Sequence, residues 1–359
     1  MPRRPAGGRA AKRARRRRLY LVTEDWKQGY SIREVDLMED HGDADSDADD
    51  QEPRRMPPPV LRREAPHNGP WHFAAAFGTK IMALHLTPWR YTPVFDVQTR
   101  CLTFGPPTIG MATTAPVHVP VGDSLYKFGF RKFHVLRPPP PRTEVLCCNV
   151  PKEWSWRCLT PPFGEHQVTS HAVHPDGRTL FASVRVKGRD TGDTFTCDTG
   201  AGADADDPKW TAAHREWELP FKGPGHYDPR LDAWVGLTDD PATAGHICCC
   251  QVPSPDDVCS SPPAWKLSRE KLFCRDPAEA HTGASLVYLG TGYRSRFCLV
   301  ECLQRGWRRH QLRLTTFFPR YHKNGDLGIS KRRRVQSFKL PKTRGKDSGF
   351  LKNPVAFWL

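Results

Sequence analysis

A pattern that recurs along the chain constrains its fold more strongly than any other feature. A glycine-containing or polar turn leads into an apolar strand, and a second strand follows that ends in a polar turn. Copies begin near Gly78, Gly122, His171, Ala233 and Ala284, a spacing of about 45 to 60 residues that is close to the period of kelch-like blades. Each copy predicts a small antiparallel sheet that cannot bury both of its faces alone. Stacking the sheets around an axis buries them, so the pattern predicts an all-β, propeller-like ring.

The two ends of the sequence supply the remaining sheets. Apolar and alternating residues at 19–22 and 31–37 predict a hairpin, and residues 311–340 predict a further group of strands. The total is six or seven sheets in a single domain over residues 19–359. A closed ring would pair the strand at residue 19 with strands near residue 359, because an open ring leaves two unpaired edges. A large sandwich or two β domains is the alternative.

The sequence contains few patterns typical of helices. The best helical candidates are short, at residues 208–215 and 268–273. Strands without interposed helices favour an antiparallel architecture over a parallel βαβ sheet. Turn formers are abundant, with 28 Gly and 35 Pro spread along the 359 residues. No stretch approaches the roughly 18 consecutive apolar residues of a spanning helix, so no membrane contact is expected.

A basic arm precedes the predicted ring. Residues 1–18 contain nine Arg or Lys and no apolar core, which excludes a secretory signal and predicts disorder. Compact basic runs are what nuclear-import receptors bind, so an import receptor is a candidate partner and the nucleus or cytoplasm the expected location. A plastid or mitochondrial transit peptide and a solvated tail are the alternatives. The candidate import run consists of Lys12, Arg13, Arg15, Arg16, Arg17 and Arg18.

Two further charged segments lie inside the predicted domain. Residues 39–59 form an acidic and then proline-rich stretch that predicts a solvated loop. A second basic cluster, Lys331, Arg332, Arg333 and Arg334, follows the hairpin-turn signal of residues 324–326. We call Lys331–Arg334 the basic rim, because this cluster is expected at one rim of the ring. It would extend a binding surface there, or simply protect a sheet edge from pairing with other edges.

Net charge and known motifs limit the nucleic-acid hypothesis. The formal charge of +15 predicts salt-sensitive, nonspecific association with polyanions. The sequence shows no helix-turn-helix, zinc-finger or RNA-recognition pattern. Specific nucleic-acid binding is therefore not expected, although association through the basic segments stays an alternative.

Cysteine and histidine are numerous enough to raise the question of a metal site. The closest cysteine spacings, Cys248 with Cys250 and Cys298 with Cys302, fall in strand-like runs and lack a matching second pair. Without a secretory signal, the twelve cysteines are expected to be thiols. Four histidines could approach the ring axis but are better explained as hydrogen-bonded structural residues. No catalytic residue, metal or cofactor is predicted. The four histidines are His171, His174, His226 and His246.

Several stretches resemble a family of uncharacterised cereal-grass proteins that share a domain of unknown function. They include residues 18–32, 73–81, 168–177, 225–229 and 353–358. The resemblance covers almost all of the chain after Arg18 and implies a kelch-like or galactose-oxidase-like propeller with no established activity. It supplies no catalytic residues. The paired glycines of true kelch repeats are missing, and no helical F-box segment stands before residue 19.

These features favour a non-catalytic recognition scaffold. The expected partner is a protein or other ligand bound at one rim, where the loops between strands collect. The chain is expected to be a monomer. An enzyme with an axial site, such as an oxidase or a glycan-acting protein, is the alternative from another class.

The basic arm yields a prediction about location. A fluorescent reporter fused to residues 1–18 should concentrate in the nucleus, because the run of cations would be bound by an import receptor. Replacing Arg15, Arg16, Arg17 and Arg18 with Ala should abolish the concentration seen by microscopy. Entry of the unaltered fusion into plastids or mitochondria would instead identify a transit peptide.

Overall fold

The computed structural model contains strands almost throughout. It describes residues 17–26, 29–37, 52–65, 71–85, 91–109, 116–129, 132–139, 154–160, 163, 167–185, 191–200, 208–214, 217–238, 240–255, 262–291, 295–306, 309–341 and 349–359. Helix within these ranges is confined to a 3-10 turn at Pro241–Thr243 and one four-residue α-helix, α1, at Gly349–Lys352. None of the described helices has the length and apolarity needed to cross a bilayer.

Twenty-seven strands are described, numbered in chain order. They are β1 (Leu19–Trp26), β2 (Gly29–Val35), β3 (Arg54–Arg55), β4 (Pro59–Glu64), β5 (Trp71–Ala76), β6 (Lys80–His85), β7 (Thr92–Asp96), β8 (Cys101–Gly105), β9 (Val117–Val121), β10 (Ser124–Gly129), β11 (Lys132–Leu136), β12 (Arg157–Leu159), β13 (Gln167–Val173), β14 (Thr179–Arg185), β15 (Asp193–Asp198), β16 (Lys209–His214), β17 (Lys222–Asp228), β18 (Ala233–Leu237), β19 (Ile247–Gln251), β20 (Trp265–Leu267), β21 (Glu279–Thr291), β22 (Ser295–Arg305), β23 (Arg309–Phe317), β24 (Pro319–Tyr321), β25 (Leu327–Ile329), β26 (Arg334–Lys339) and β27 (Val355–Trp358).

The described strands form six four-stranded antiparallel units, which we call blades. Blade 1 has the order β27-β1-β2-β4, and blades 2, 3, 4 and 5 are β5–β8, β9–β12, β13–β16 and β17–β20. Blade 6 contains β21, β22, β23 and β26. Blades 4 and 5 are joined along their first strands, because β13 and β17 pair in parallel at Ser170 and Gly223. The prediction of a ring of six or seven small sheets is thus confirmed, with six among the described residues.

The strands form because their side chains are buried on both faces. In β22, Phe297 and Leu299 contact blade 5, whereas Cys298 and Val300 contact blade 1. This alternation produces a continuous apolar run instead of an apolar–polar alternation. Tight turns then reverse the chain between strands. Gly78 and Gly122 sit at two of these turns with φ angles of 78° and 54°, a region that glycine enters without a Cβ clash.

Six hydrophobic cores lie between the blades, one at each junction. Core clusters join blades 1 and 2, 2 and 3, 3 and 4, 4 and 5, and 5 and 6. The sixth cluster joins blade 6 back to blade 1, where Val300 and Leu314 pack with Leu19 and Leu21. Because every blade has a core on both sides, the six blades close into a ring.

Closure brings the two ends of the described chain together. Strand β27 pairs with β1 in antiparallel register, with Leu19 opposite Trp358 and Val22 opposite Val355. Arg18 N donates to Leu359 O at 2.7 Å, and Leu359 N donates to Arg18 O at 3.1 Å. The predicted pairing of the strand at residue 19 with the end of the chain is confirmed.

Several local predictions need correction. Residues 209–214 form strand β16 and residues 268–273 form an irregular connection, so neither helical candidate is a helix. Cross-strand pairing along the whole of β15 outweighs the weak helical pattern of the first candidate. The strands of residues 311–340 do not make a seventh blade, because β23 and β26 complete blade 6.

The predicted loop at residues 39–59 is described only from residue 52. There the chain leaves blade 1 and runs beside blade 6, where β3 pairs in parallel with the outer strand β26. The Lys339 ammonium contacts the Glu52 carboxylate at 2.9 Å. The chain then returns to blade 1 and begins β4 at Pro59. The end of this segment, residues 52–59, therefore lies along the outside of the junction between blades 1 and 6 and contacts both blades.

The closure yields a prediction about stability. Removing residues 354–359 should lower the free energy of unfolding by several kcal/mol, at about 25 cal/mol per Å² of exposed apolar area. Phe357 and Leu359 would leave the core between blades 1 and 2, and Trp358 the core between blades 6 and 1. Urea denaturation followed by circular dichroism measures the loss.

Removal of residues 1–16 is the matched control, because Arg17 is already exposed at the surface. That variant should unfold at the same urea concentration as the full chain. Equal stability of the full chain and the variant without residues 354–359 would contradict this account of closure.

Candidate functional site

The candidate import run lies mostly outside the described residues. Lys12, Arg13, Arg15 and Arg16 are not described, and Arg17 is exposed. Arg18, predicted as the last residue of the arm, belongs instead to the folded ring. Its guanidinium makes ion pairs with Glu34, at 3.8 Å, and with Asp36. These pairs and the backbone bonds to Leu359 hold Arg18 in the sheet, because β1 and β27 extend their pairing by one residue.

The basic rim lies on blade 6, between β25 and the start of β26. All four of its side chains, Lys331–Arg334, are exposed. The rim begins beside an inserted hairpin, since Ser330 N donates to Phe318 O at 2.9 Å. Arg334 is the first residue of the outer strand, β26, and lies opposite Thr316 on β23. The rim is therefore a run of four solvent-facing cations at the edge of one blade.

The inserted hairpin, β24 and β25, connects blade 6 to blade 5. Arg269 N donates to Leu327 O at 3.1 Å, and Ile329 N donates to Glu270 Oε2 at 2.9 Å. The Arg269 guanidinium also pairs with Asp326 in the turn. Leu327 and Ile329 are buried in the core between blades 5 and 6. These contacts fix the position of the hairpin relative to the outer strand of blade 5.

Two large aromatic side chains are exposed near the outer edge of blade 5, on its two opposite faces: Trp265 shares the face of Cys250, and Tyr321 contacts the face of Cys249 and Lys266. Trp265 on β20 is 51% exposed and Tyr321 on β24 is 40% exposed. The Lys266 ammonium lies 5.4 Å from the centre of the Tyr321 ring and donates to Gly325 O at 2.6 Å. A cation over an aromatic face is attracted by the ring quadrupole, which holds both side chains in place. Arg320 and Lys323 are exposed on the same hairpin.

We call these five residues the hairpin surface. Its members share exposure and either a positive charge or an aromatic ring: Trp265, Lys266, Arg320, Tyr321 and Lys323. The Tyr321 hydroxyl donates a hydrogen bond to the thiol of Cys249 below it. Burial, together with that neighbouring thiol, raises the pKa of Tyr321 to about 12. The phenol is therefore uncharged at neutral pH, and the hairpin surface keeps its positive charge.

Sequence reasoning did not identify the hairpin surface. Tryptophans in a ring of blades commonly pack between blades, as Trp156, Trp217 and Trp234 do. Trp265 differs because it lies on the three-residue outer strand β20, which has no further strand beyond it. The only signal in the sequence was the neighbouring lysine, and that alone does not separate an edge strand from a central one.

A second cation–aromatic pair joins blades 1 and 2, with Arg63 on β4 and Phe104 on β8. The Arg63 guanidinium is 5.5 Å from the centre of the Phe104 ring, and Phe104 is 56% exposed. Tyr91 lies at 6.0 Å from Phe104, measured between ring centroids. Blade 2 is opposite blade 5 in a ring of six. This pair has no run of exposed cations comparable to the basic rim beside it in the described chain.

The four histidines considered for an axial site do not converge. His226 Nε2 contacts Leu286 O at 3.0 Å, and His246 Nδ1 contacts Ser268 O at 2.8 Å. His174 Nδ1 lies 3.2 Å from the Asp176 carboxylate. His171 is close enough to His226 for their charges to interact, and burial lowers the pKa of His171 to about 4. In the described chain no three His, Cys, Asp or Glu side chains are grouped to hold a metal ion.

The cysteine pairs are parts of different cores. Cys248 and Cys250 pack between blades 4 and 5, whereas Cys249 packs between blades 5 and 6. Cys298 and Cys302 share the core between blades 6 and 1. Burial raises the pKa of Cys250 to about 12 and that of Cys298 to about 12. The nine described cysteines are free thiols, and these five of them pack in the cores.

One buried carboxylate organises the connection between blades 5 and 6. Glu301 on β22 has no exposed surface and accepts hydrogen bonds from Cys274 N at 3.2 Å on both oxygens. His281 Nδ1 lies 3.0 Å from Glu301 Oε1, and its ring stacks on Phe273 at 3.9 Å. The Cys274 thiol donates to Glu279 at 3.3 Å. Burial raises the pKa of the Cys274 thiol, so this group is a structural network without an activated nucleophile.

A small cavity lies at the junction of blades 1 and 6. Its volume is about 30 Å³ and its walls are mostly apolar, with Cys302, His310 and Thr23 among the lining residues. That volume accommodates one or two water molecules. Nδ1 of His310 is buried and has no hydrogen-bond partner in the described chain. The cavity is thus a site for water and is too small for an organic ligand.

The thiol environments yield a prediction about reactivity. Brief treatment of the native protein with iodoacetamide near neutral pH should label Cys101 and Cys158, which are exposed. Cys197, Cys250 and Cys298 should stay unlabelled, because they are buried and only the thiolate reacts. Peptide mapping by mass spectrometry measures the labelling at each site. Guanidinium-unfolded protein is the control and should be labelled at all five, whereas rapid native labelling of Cys298 would contradict the packing described.

Comparison with solved structures gives distant matches only. The WD40 domain of SCAP from fission yeast is 8% identical with a TM-score of 0.35, over 87% of this chain and 72% of that one. AztD from Citrobacter koseri is 8% identical with a TM-score of 0.34, over 92% and 99%. Hydrazine synthase from Kuenenia stuttgartiensis is 10% identical with a TM-score of 0.32, over 81% and 70%.

Comparison of sequences identifies a family without a described activity. No curated protein matches the chain. Residues 16–338, which include all of the central blades, match the family described as protein of unknown function DUF1668. This agrees with the resemblance to proteins built on a domain of unknown function. The chain belongs to the DUF1668 family.

Proposed function

We propose that the protein is a non-catalytic recognition scaffold that binds an acidic segment of a protein partner at the hairpin surface. The observation that carries this proposal is the exposed Tyr321 ring, which Lys266 holds on the hairpin that leads directly into the cations of the basic rim. Tryptophan and tyrosine are the residue types that most often dominate binding energy at interfaces. Exposed cations attract an acidic partner and raise its association rate.

The rigidity of the hairpin surface supports recognition. Lys266 bridges the Tyr321 ring and the turn at Gly325, and Arg269 pairs with Asp326 in that turn. A surface that is already ordered loses less conformational entropy when a partner binds. The hairpin β24–β25 is an addition to the four strands of blade 6, which also supports a role beyond closing the ring.

Two observations favour a protein segment over a nucleic acid. Lys266 covers one face of the Tyr321 ring, and base stacking requires open aromatic faces. The hydroxyl of that tyrosine is held by Cys249, so the ring cannot turn outward without losing this bond. An acidic peptide can contact the ring edge and Trp265 while its carboxylates meet the basic rim. Nucleic-acid association through the same cations is the outcome that the experiment below must exclude.

The axial enzyme is less well supported. The histidines considered for an axial site either contact backbone carbonyls, as His226 contacts Leu286 O, or are buried, as His171 is. The Tyr321 and Cys249 pair does bring a phenol and a thiol together, but no histidine in the described chain completes a set with them. For location, the nucleus remains our proposal on the strength of the basic run in residues 12–18.

The proposal predicts a change in peptide affinity. A labelled peptide rich in Glu and Asp with interspersed Phe should bind the full chain in a fluorescence-anisotropy titration. The double variant Trp265→Ala with Tyr321→Ala should bind it at least about tenfold more weakly, because both aromatic anchors are lost. Neutralising Lys331, Arg332, Arg333 and Arg334 to Ser should mainly slow association and flatten the salt dependence.

The exposed aromatic side chains of blade 2 provide the matched control. Tyr91→Ala with Phe104→Ala also removes two exposed aromatic rings and should leave the peptide affinity unchanged. An equal loss in this control would mean that binding is unspecific. Tighter binding of a single-stranded oligonucleotide of equal charge, lost in the Trp265 and Tyr321 variant, would assign the surface to nucleic acid instead.

A further inference from the structure

Three basic side chains form a row across one face of blade 3. His118 on β9 lies opposite Lys127 on β10, and Lys127 lies opposite His134 on β11. Directly opposed residues of antiparallel strands have Cβ atoms about 4.5 to 5.5 Å apart and share a face. The same face carries Leu125 and Leu136, which pack against blade 2. The row therefore lies in the junction between blades 2 and 3.

Blade 2 contributes a fourth basic side chain to this junction. His72 lies on the first strand, β5, on the same face as Ala74, and Ala74 packs in the core between blades 2 and 3. The charges of His72 and His118 interact with each other, and both interact with Lys127. We call His72, His118, Lys127 and His134 the interblade cluster.

The lysine of the interblade cluster is buried without a counter-charge. Lys127 is 7% exposed, and its ammonium donates to Ile109 O at 2.9 Å. No carboxylate of the described residues pairs with it. An ammonium donates three hydrogen bonds, and burying its charge is costly unless an opposite charge or further acceptors surround it. Two of its donors therefore have no acceptor among the residues that the structure describes.

Each of the three imidazoles in the interblade cluster also has a buried nitrogen without a hydrogen-bond partner among the described residues. His72 Nε2, His118 Nε2 and His134 Nδ1 are buried, and none has a hydrogen-bond partner in the described chain. Buried polar atoms in folded proteins nearly always have a partner from the protein, from water or from a bound ion. Three such imidazoles around one ammonium charge make a cation an unfavourable partner, because the ammonium would repel it. They suit an anion with several acceptor atoms.

We propose that the interblade cluster binds a small inorganic oxyanion, of the orthophosphate or sulfate type, between blades 2 and 3. The ammonium supplies the charge, and the imidazoles supply N–H donors from both blades. A multi-oxygen anion can accept from donors that arrive from different strands, and a buried ion pair is strongest when such additional bonds are made. The anion would join two blades that are otherwise held by the apolar contacts of Leu125 and Leu136.

Anion binding at this site is linked to protons. Burial, and secondarily the charge of Lys127, lowers the pKa of His72 to about 4 and that of His134 to about 4, so both rings are neutral at pH 7. The other charged groups that act on the cluster, Lys132 and His85, are also basic. A bound anion stabilises the protonated rings and raises each pKa. Binding therefore takes up protons, and affinity increases as the pH falls from 7 toward 5.

Titration calorimetry with sodium orthophosphate tests the proposal on the full chain, with chloride held constant, at about pH 6 and about pH 7.5. Binding should be tighter at the lower pH, and the observed heat should vary with the ionisation enthalpy of the buffer because protons are taken up. Lys127→Met should weaken binding at least about tenfold, since it removes the charge but keeps most of the side-chain volume. Lys339→Met is the matched control, because that lysine lies on blade 6 and pairs with Glu52, and it should bind phosphate like the unaltered chain.

Thermal melting in about 5 mM phosphate, a concentration low enough to limit nonspecific salt effects, gives a second measurement. The melting temperature of the unaltered chain should rise, and that of the Lys127→Met variant should not. Absence of both heat and a melting shift in the unaltered chain would overturn the proposal. So would equal phosphate binding by the folded Lys127→Met variant, or competition by chloride at similar concentration. Loss of peptide binding at the hairpin surface has no bearing on these outcomes.

Discussion

The pairing of β1 with β27 is the interaction on which the rest of the structure depends. A single blade exposes two apolar faces, and each face is covered only by the neighbouring blade. The first and last blades of a row would each leave one face uncovered. By placing the last strand of the chain in blade 1, next to Leu19 and Val22, the fold removes those two free faces. The six cores then stabilise one another, and loss of any junction weakens all of them.

Much of this arrangement was predictable from the sequence because it rests on periodicity. Turn glycines such as Gly78 and Gly122 and the apolar runs behind them locate five blades. The uncovered apolar strand at residues 19–22 requires a distant partner. Periodicity could not show which blade each strand belongs to. Residues 311–340 read as an independent group because the hairpin β24–β25 interrupts blade 6, and an insertion of that kind looks the same as a new repeat when only local pattern is available.

The candidate sites were harder to predict for a physical reason. The basic rim is a contiguous run, so composition alone identifies it. The hairpin surface and the interblade cluster are assembled from strands that are distant in sequence, and their properties arise from exposure and register. Trp265 and Trp234 are the same residue type on two strands of blade 5, yet Trp265 on the outer strand faces solvent and Trp234 is fully buried. In the sequence, Lys127 is a single lysine within an apolar strand. Only the strand register shows that it lies between His118 and His134.

The hydrogen bonds between Arg18 and Leu359 have a consequence for whatever is attached to the ring. Any segment in front of Arg17 and any segment after Leu359 must leave the ring from one common exit, next to the acidic side chains Glu34 and Asp36. Tethered sequence would therefore start from one sector of the circumference, at blade 1. A receptor bound close to either attachment point would meet the ring at this sector.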